Sequence, residues 1–118
     1  MARDAKSMDQ QIFEKQASIC KAFANPTRLH LLDLLGKGER GASELQAALG
    51  ISKANLSQHL SILKSAGVVV TRRNGKQIYC SLALPEVKQA CQLIRNVLRT
   101  PRRIRRLGWA LGLGGATV

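Results

Sequence analysis

The segment Ser43 to Gly67, SELQAALGISKANLSQHLSILKSAG, constrains this chain more than any other, because it reads as two amphipathic helices around a tight joint. Ser43 with Gln46 has the spacing of a capping box, which predicts a short helix over ASELQAAL closed by Gly50. Ser52 is placed to cap a second helix that Gly67 ends. Two helices joined by Leu-Gly-Ile-Ser match the helix-turn-helix spacing. In the second, Leu56, Leu60 and Leu63 recur at i, i+4 and i+7 and make one buried stripe. The opposite face carries Ala54, Gln58, Ser61 and Ser65, with Ser57 beside them. A helix selected only for solubility would carry charged pairs there. A small, polar, uncharged face is what close approach of a helix to base edges requires.

The flanks complete the outline. VVVTRR and KQIYCSL are β-prone runs around Asn74-Gly75, a hairpin signal that predicts a type I′ turn. Upstream, Ser7 with Gln10 opens a helix through IFEKQASICKAF to about Ala24, and Asn25-Pro26 caps and starts another over TRLHLLDLL. The first helix has two adjoining apolar stripes, Ile12/Ile19/Phe23 and Phe13/Ala17/Cys20/Ala24, so it must pack on two sides, a core and a partner subunit. Pro85 starts a fifth helix, with Val87, Cys91, Ile94 and Leu98 on one face and Ala90, Leu93 and Val97 beside it, which Pro101 ends. The expected fold is mainly α with a small β-hairpin: a winged helix-turn-helix of about five helices plus wing, spanning residues 1–100. Residues 101–118 form a basic, then Gly-rich tail.

Charge narrows the partner class. Nineteen Lys and Arg against seven Asp and Glu give a net +12. Six of these cations lie between Arg95 and Arg106 with no acid, leaving 13 against 7, or +6, for the rest. Such a balance points to polyanions: DNA, RNA or an acidic membrane surface. No 18-residue apolar run and no signal peptide is present, and three cysteines without an export signal predict free thiols in a cytoplasmic protein. An enzyme is not expected, for want of a metal-spaced His/Asp/Glu cluster, a phosphate loop or a nucleophile with a base.

On the second helix of the pair, Ser57, Gln58 and Ser61 are the direct-readout candidates, with Asn55 at the helix start, because these side chains donate and accept. Lys53 and Lys64 flank the apolar stripe within reach of phosphates, and Arg72, Arg73 and Lys76 give the hairpin a cationic tip suited to phosphate or minor-groove contacts. His59 lies about 60° from the leucine stripe, compatible with packing on the preceding helix or with reading DNA. Arg28 is expected to form an inter-helix ion pair and His30 to sit at the core edge.

These residues resemble the ArsR/SmtB family of metal- and redox-responsive bacterial repressors. The resemblance is carried by AFANPTRLHLLDLL, by ASELQAALGISKANLSQHLSILKSAGVV and by TRRNGKQIYCSL, roughly Ala22 to Leu82, with Glu86 to Leu98 fitting the family's last helix. It implies a homodimer built on the first and last helices that sits on a palindromic double-stranded operator and leaves when an effector binds. Two familiar effector patterns are absent: ASELQAAL has no Cys, and EVKQACQLIRNVL has no His. Cys20 on the first helix and Cys91 on the last remain as thiol candidates, able to oxidise or to hold an As(III)-type metalloid. Cys80 is a third, less favoured sulfur for a trigonal site. Buried, inert thiols are the alternative. The expected function is therefore a dimeric repressor released by a thiol-linked signal. A ligand-independent architectural DNA- or RNA-binding protein is the alternative. Membrane contact by the basic tail is a further, weaker possibility.

Overall fold

The computed structural model describes residues 7–99. The chain runs α1 (Met8–Phe23), α2 (Pro26–Gly36), β1 (Arg40–Gly41), α3 (Ala42–Leu49), α4 (Lys53–Ser65), β2 (Val69–Asn74), β3 (Gln77–Leu82) and α5 (Pro85–Arg99). This is the expected winged helix-turn-helix, with one strand more than the sequence signalled. The expected tail, residues 101–118, and the Pro101 stop lie outside the described residues.

The helix ends follow from local chemistry. Ser7 Oγ accepts from the Gln10 amide at 3.0 Å, Asn25 Oδ1 from the Arg28 amide at 3.0 Å, and Ser52 Oγ from the Asn55 amide at 3.1 Å. Each satisfies a donor that the first helical turn leaves open. Gly50 closes α3 at φ 65°, a left-handed conformation glycine adopts without penalty. At the end of α4 the amides of Gly67 and Val68 donate to the carbonyls of Lys64 and Leu63, at 2.9 and 3.1 Å, a Schellman arrangement that aims the chain into β2. The expected Ser43–Gln46 box is not the one used. The N-cap of α3 is Gly41, whose amide donates to Glu44 Oε1 at 3.5 Å. The helix spans ASELQAAL as expected, but its cap is Gly41, which strand pairing with Tyr79 holds extended.

The sheet is antiparallel in the order β1-β3-β2. Arg40 and Gly41 pair with Cys80 and Tyr79, which ties the helix-turn-helix to the hairpin. The hairpin turn differs from expectation. Asn74 pairs with Gln77, so Gly75 and Lys76 are the loop, and Gly75 alone has positive φ, 67°. That is the pattern of a turn with glycine first, type II′, rather than type I′ on Asn74-Gly75. A turn on Asn74-Gly75 would have set Arg73 opposite Lys76. The observed register sets Arg73 opposite Ile78 and avoids a like-charge cross-strand pair.

The core is aliphatic. Leu31, Leu45, Leu63 and Cys80 are fully enclosed, joined by Leu32, Leu35, Leu56, Leu60, Val68 and Val69. Leu56, Leu60 and Leu63 are all buried, so the stripe read from the sequence is the one that fixes the rotation of α4. α2 lies at the centre, against α1, α3, α4, α5 and β3. By contrast α1 buries Ala22 and α5 buries Cys91, and the rest of each helix is largely open.

Candidate nucleic-acid interface

The rotation fixed by the leucine stripe leaves Ser57, Gln58 and Ser61 exposed, with Asn55 and Lys53 at the helix start and Lys64 at its end. A surface groove of about 300 Å³ runs beside them, lined by Ser57, Ser61, Lys64 and Ser65 of α4 and by Thr71 and Ile78 of the wing. The structure thus brings Ser57, Ser61 and Lys64 together with the hairpin at one groove, while Asn55 and Gln58 are exposed on α4 outside its lining. Thr71 and Ile78 were not singled out in the sequence. Their signal is the period-2 alternation of the two strands, which needs the register before it can be used.

The wing cations divide. Arg73 and Lys76 are exposed, with no ion-pair partner among the described residues. Arg72 instead donates from Nε and Nη2 to the two carboxylate oxygens of Glu39 at 2.9 and 2.7 Å, a bidentate pair. Its guanidinium also lies 4.6 Å from the centre of the Tyr79 ring. The hydrogen bond from Arg72 holds the Glu39 carboxyl below its ordinary value, with desolvation opposing it and the Arg72 charge adding to the drop.

Arg28 and His59 form a second network. Arg28 Nε donates to the Ala22 carbonyl at 2.6 Å and Nη2 to the Lys21 carbonyl at 3.4 Å, while Nη1 lies 3.4 Å from His59 Nδ1. The expected inter-helix ion pair is therefore corrected: the partners are two carbonyls in the last turn of α1, of which that of Lys21 also accepts from the Ala24 amide, and an imidazole. His59 is half-buried, about a quarter turn from the exposed Gln58, and its contact with Arg28 links α4 to α2. His30 is not at the core edge. It is exposed, beside Asp33 and Arg95 at an opening of about 260 Å³ between α2 and α5.

The thiols lie apart in environment. Cys20 is exposed on α1, whereas Cys80 and Cys91 are buried. Cys80 is enclosed in the sheet, and burial pushes its thiol up, with Lys64 opposing and Glu39 adding a little. Burial likewise pushes the Cys91 thiol up, against Arg95, with Asp33 adding to the rise. Among the described residues no three His, Cys, Asp or Glu side chains converge as a metal site, so one chain does not assemble the trigonal sulfur site considered for Cys80.

A polar helix face beside a basic hairpin, both held on a helix-turn-helix, defines a winged-helix DNA-binding module. Residues 25–71 match the family model described as bacterial regulatory protein, arsR family. An HTH-type transcriptional regulator of Mycobacterium tuberculosis, Rv0081, is 35% identical over 88 residues, 74% of this chain and 77% of that protein. Its crystal structure superposes with a TM-score of 0.72 over 80% of this chain and 95% of the other. The homodimeric winged helix-turn-helix DNA-binding domain of Mb0332 from Mycobacterium bovis is similar at 33% identity and a TM-score of 0.73, covering 80% of this chain and 88% of that one. The transcriptional repressor SdpR of Bacillus subtilis is 43% identical over 81 residues, 69% of this chain and 90% of that protein. The chain belongs to the arsR family, and it is a DNA-binding transcriptional regulator rather than an enzyme.

Proposed function

We propose that this chain is a homodimeric transcriptional repressor that places α4 in successive major grooves of a palindromic operator and releases it on a thiol-linked signal. The observation that carries the first half is the groove shared by α4 and the wing. Uncharged donors and acceptors lie along one wall and the exposed cations Arg73 and Lys76 at the hairpin tip. Ser57, Gln58, Ser61 and Asn55 read base edges, while Lys53, Lys64 and the wing hold phosphates. Two-fold symmetry then sets the half-sites about one helical turn, or a multiple, apart. The likeness to a homodimeric domain and to a repressor supports the assembly and the sign of regulation.

The thiol half rests on Cys20, exposed on the helix expected to dimerise, and on Cys91, buried beneath the other. Oxidation, persulfidation or capture of a thiophilic metalloid at either would disturb the packing of α1 or α5, and through it the spacing of the two α4 helices. Cys20 is open to reagents in solution, whereas Cys91 is buried.

Fluorescence anisotropy with the DNA upstream of its own gene, against a random duplex at the same salt, tests both halves. Specific binding exceeds random binding by about 10³ or more for a sequence-reading repressor. Equal affinities would instead support the architectural alternative. Addition of oxidant, persulfide or As(III) to wild type, Cys20→Ser and Cys91→Ser tests release. If both variants respond as wild type does, the thiol reading fails.

A further inference from the structure

The Glu39–Arg72 pair separates two kinds of wing cation. Glu39 stands immediately before β1, whose Gly41 pairs with Tyr79, and Tyr79 in turn is the cross-strand partner of Arg72. The strand order therefore delivers a carboxylate and an aromatic ring to the same guanidinium. Both carboxylate oxygens are used, at 2.7 and 2.9 Å, and the ring covers the guanidinium at 4.6 Å. Arg73, the next residue, points to the other side of the strand and is exposed.

We propose that Glu39 is a specificity-determining residue, which keeps Arg72 off the phosphate backbone and leaves the wing's electrostatic grip to Arg73 and Lys76. Phosphate contacts strengthen binding to any duplex and carry no sequence information. A third wing contact would raise random-DNA affinity along with operator affinity and lower their ratio. Held by Glu39 and Tyr79, Arg72 serves instead as a brace between the wing and β1. The proposal rests on the reading that the wing touches the DNA backbone.

The experiment measures the slope of log K against log salt for random duplex and for operator DNA, because each phosphate neutralised contributes about 0.9 to that slope. Arg73→Gln and Lys76→Gln each flatten it by about that amount if the wing touches phosphate. Arg72→Gln leaves it as in wild type. Glu39→Gln steepens it by about the same increment, tightens random-duplex binding and lowers the operator-to-random ratio. The double variant Glu39→Gln/Arg72→Gln returns to the wild-type slope, which separates release of Arg72 from mere loss of a negative charge. Flattening by Arg72→Gln, or a Glu39→Gln slope equal to wild type, overturns the proposal. A steepened slope that persists in the double variant overturns it too. If Arg73→Gln and Lys76→Gln also leave the slope unchanged, the wing reading fails first and takes the proposal with it. Far-UV circular dichroism and thermal melts of every variant show that each slope belongs to a folded protein.

Discussion

At the scale of single residues, what a side chain does here depends on which side of α4 or of the wing it occupies. Gln58 is exposed on the face opposite Leu56, Leu60 and Leu63 and has no competing partner among the described residues. Gln58→Ala is therefore expected to weaken operator binding by about 1–3 kcal/mol, the range for one bidentate base contact, and to leave random-duplex binding unchanged. Competition anisotropy at one salt concentration checks this, and an equal loss on both duplexes would reassign Gln58 to the backbone. Arg28 acts on stability instead. Its hydrogen bonds to the carbonyls of Ala22 and Lys21 fasten the end of α1, and its contact with His59 fastens α4. Arg28→Ala should cost about 1–3 kcal/mol in urea unfolding, because it strips a charge-assisted bond from the part-buried Ala22 carbonyl and the contact with His59. Gln58 was legible because a helix period of 3.6 sorts faces without knowledge of the fold. Arg28 and Arg72 were not. Arg28 reaches carbonyls six and seven residues back across a helix end and an imidazole 31 residues on, and Arg72 a carboxylate 33 residues back, and no spacing rule covers these.

At the scale of elements, caps and hydrophobic periods gave the five helices of the described residues, while the sheet was only partly legible. β1 is two residues long and exists because Cys80 and Tyr79 offer it an edge, so nothing local in Arg40-Gly41 announces a strand. The turn was misplaced by one residue because Asn-Gly is a strong local signal that cross-strand charge overrode. The glycine itself remains decisive. Gly75 has φ 67° with open space around the position of a Cβ, so Gly75→Ala meets backbone strain and no clash. The left-handed conformation costs a non-glycine residue about 1–2 kcal/mol. This loss should appear as faster amide exchange in β2 and β3 and weaker DNA binding, with the helices still protected. The turn into α4 is subject to the same logic. Ser52→Ala removes the bond to the Asn55 amide and should lower stability by about 1 kcal/mol in thermal or urea unfolding.

At the scale of the molecule, the two terminal helices are the anomaly. Phe13 on α1 is 66% exposed and Leu93 on α5 is 67% exposed, with Met8, Ile12, Ile94 and Leu98 open as well. The surplus on α1 was visible in its double stripe. That on α5 was visible in part, in the second row Ala90, Leu93 and Val97, whereas Ile94 and Leu98 share the spacing of Val87 and Cys91, yet only the latter two pack on the core. Such an exposed apolar surface marks an interaction site on a helical regulator. A second copy covering both helices would also set the distance between the two α4 helices. The double variant Phe13→Glu/Ile94→Glu places two carboxylates on that surface and leaves every buried core residue untouched. Sedimentation velocity should find wild type as a dimer and the variant as a folded monomer with a native circular dichroism spectrum. Operator affinity should fall about 10²–10⁴-fold, the advantage a linked second site confers, while affinity for an isolated half-site stays within a few-fold. A variant that remains dimeric and keeps full operator affinity would move the interface elsewhere on the chain. In that case α1 and α5 would need another partner to explain why their apolar faces are open.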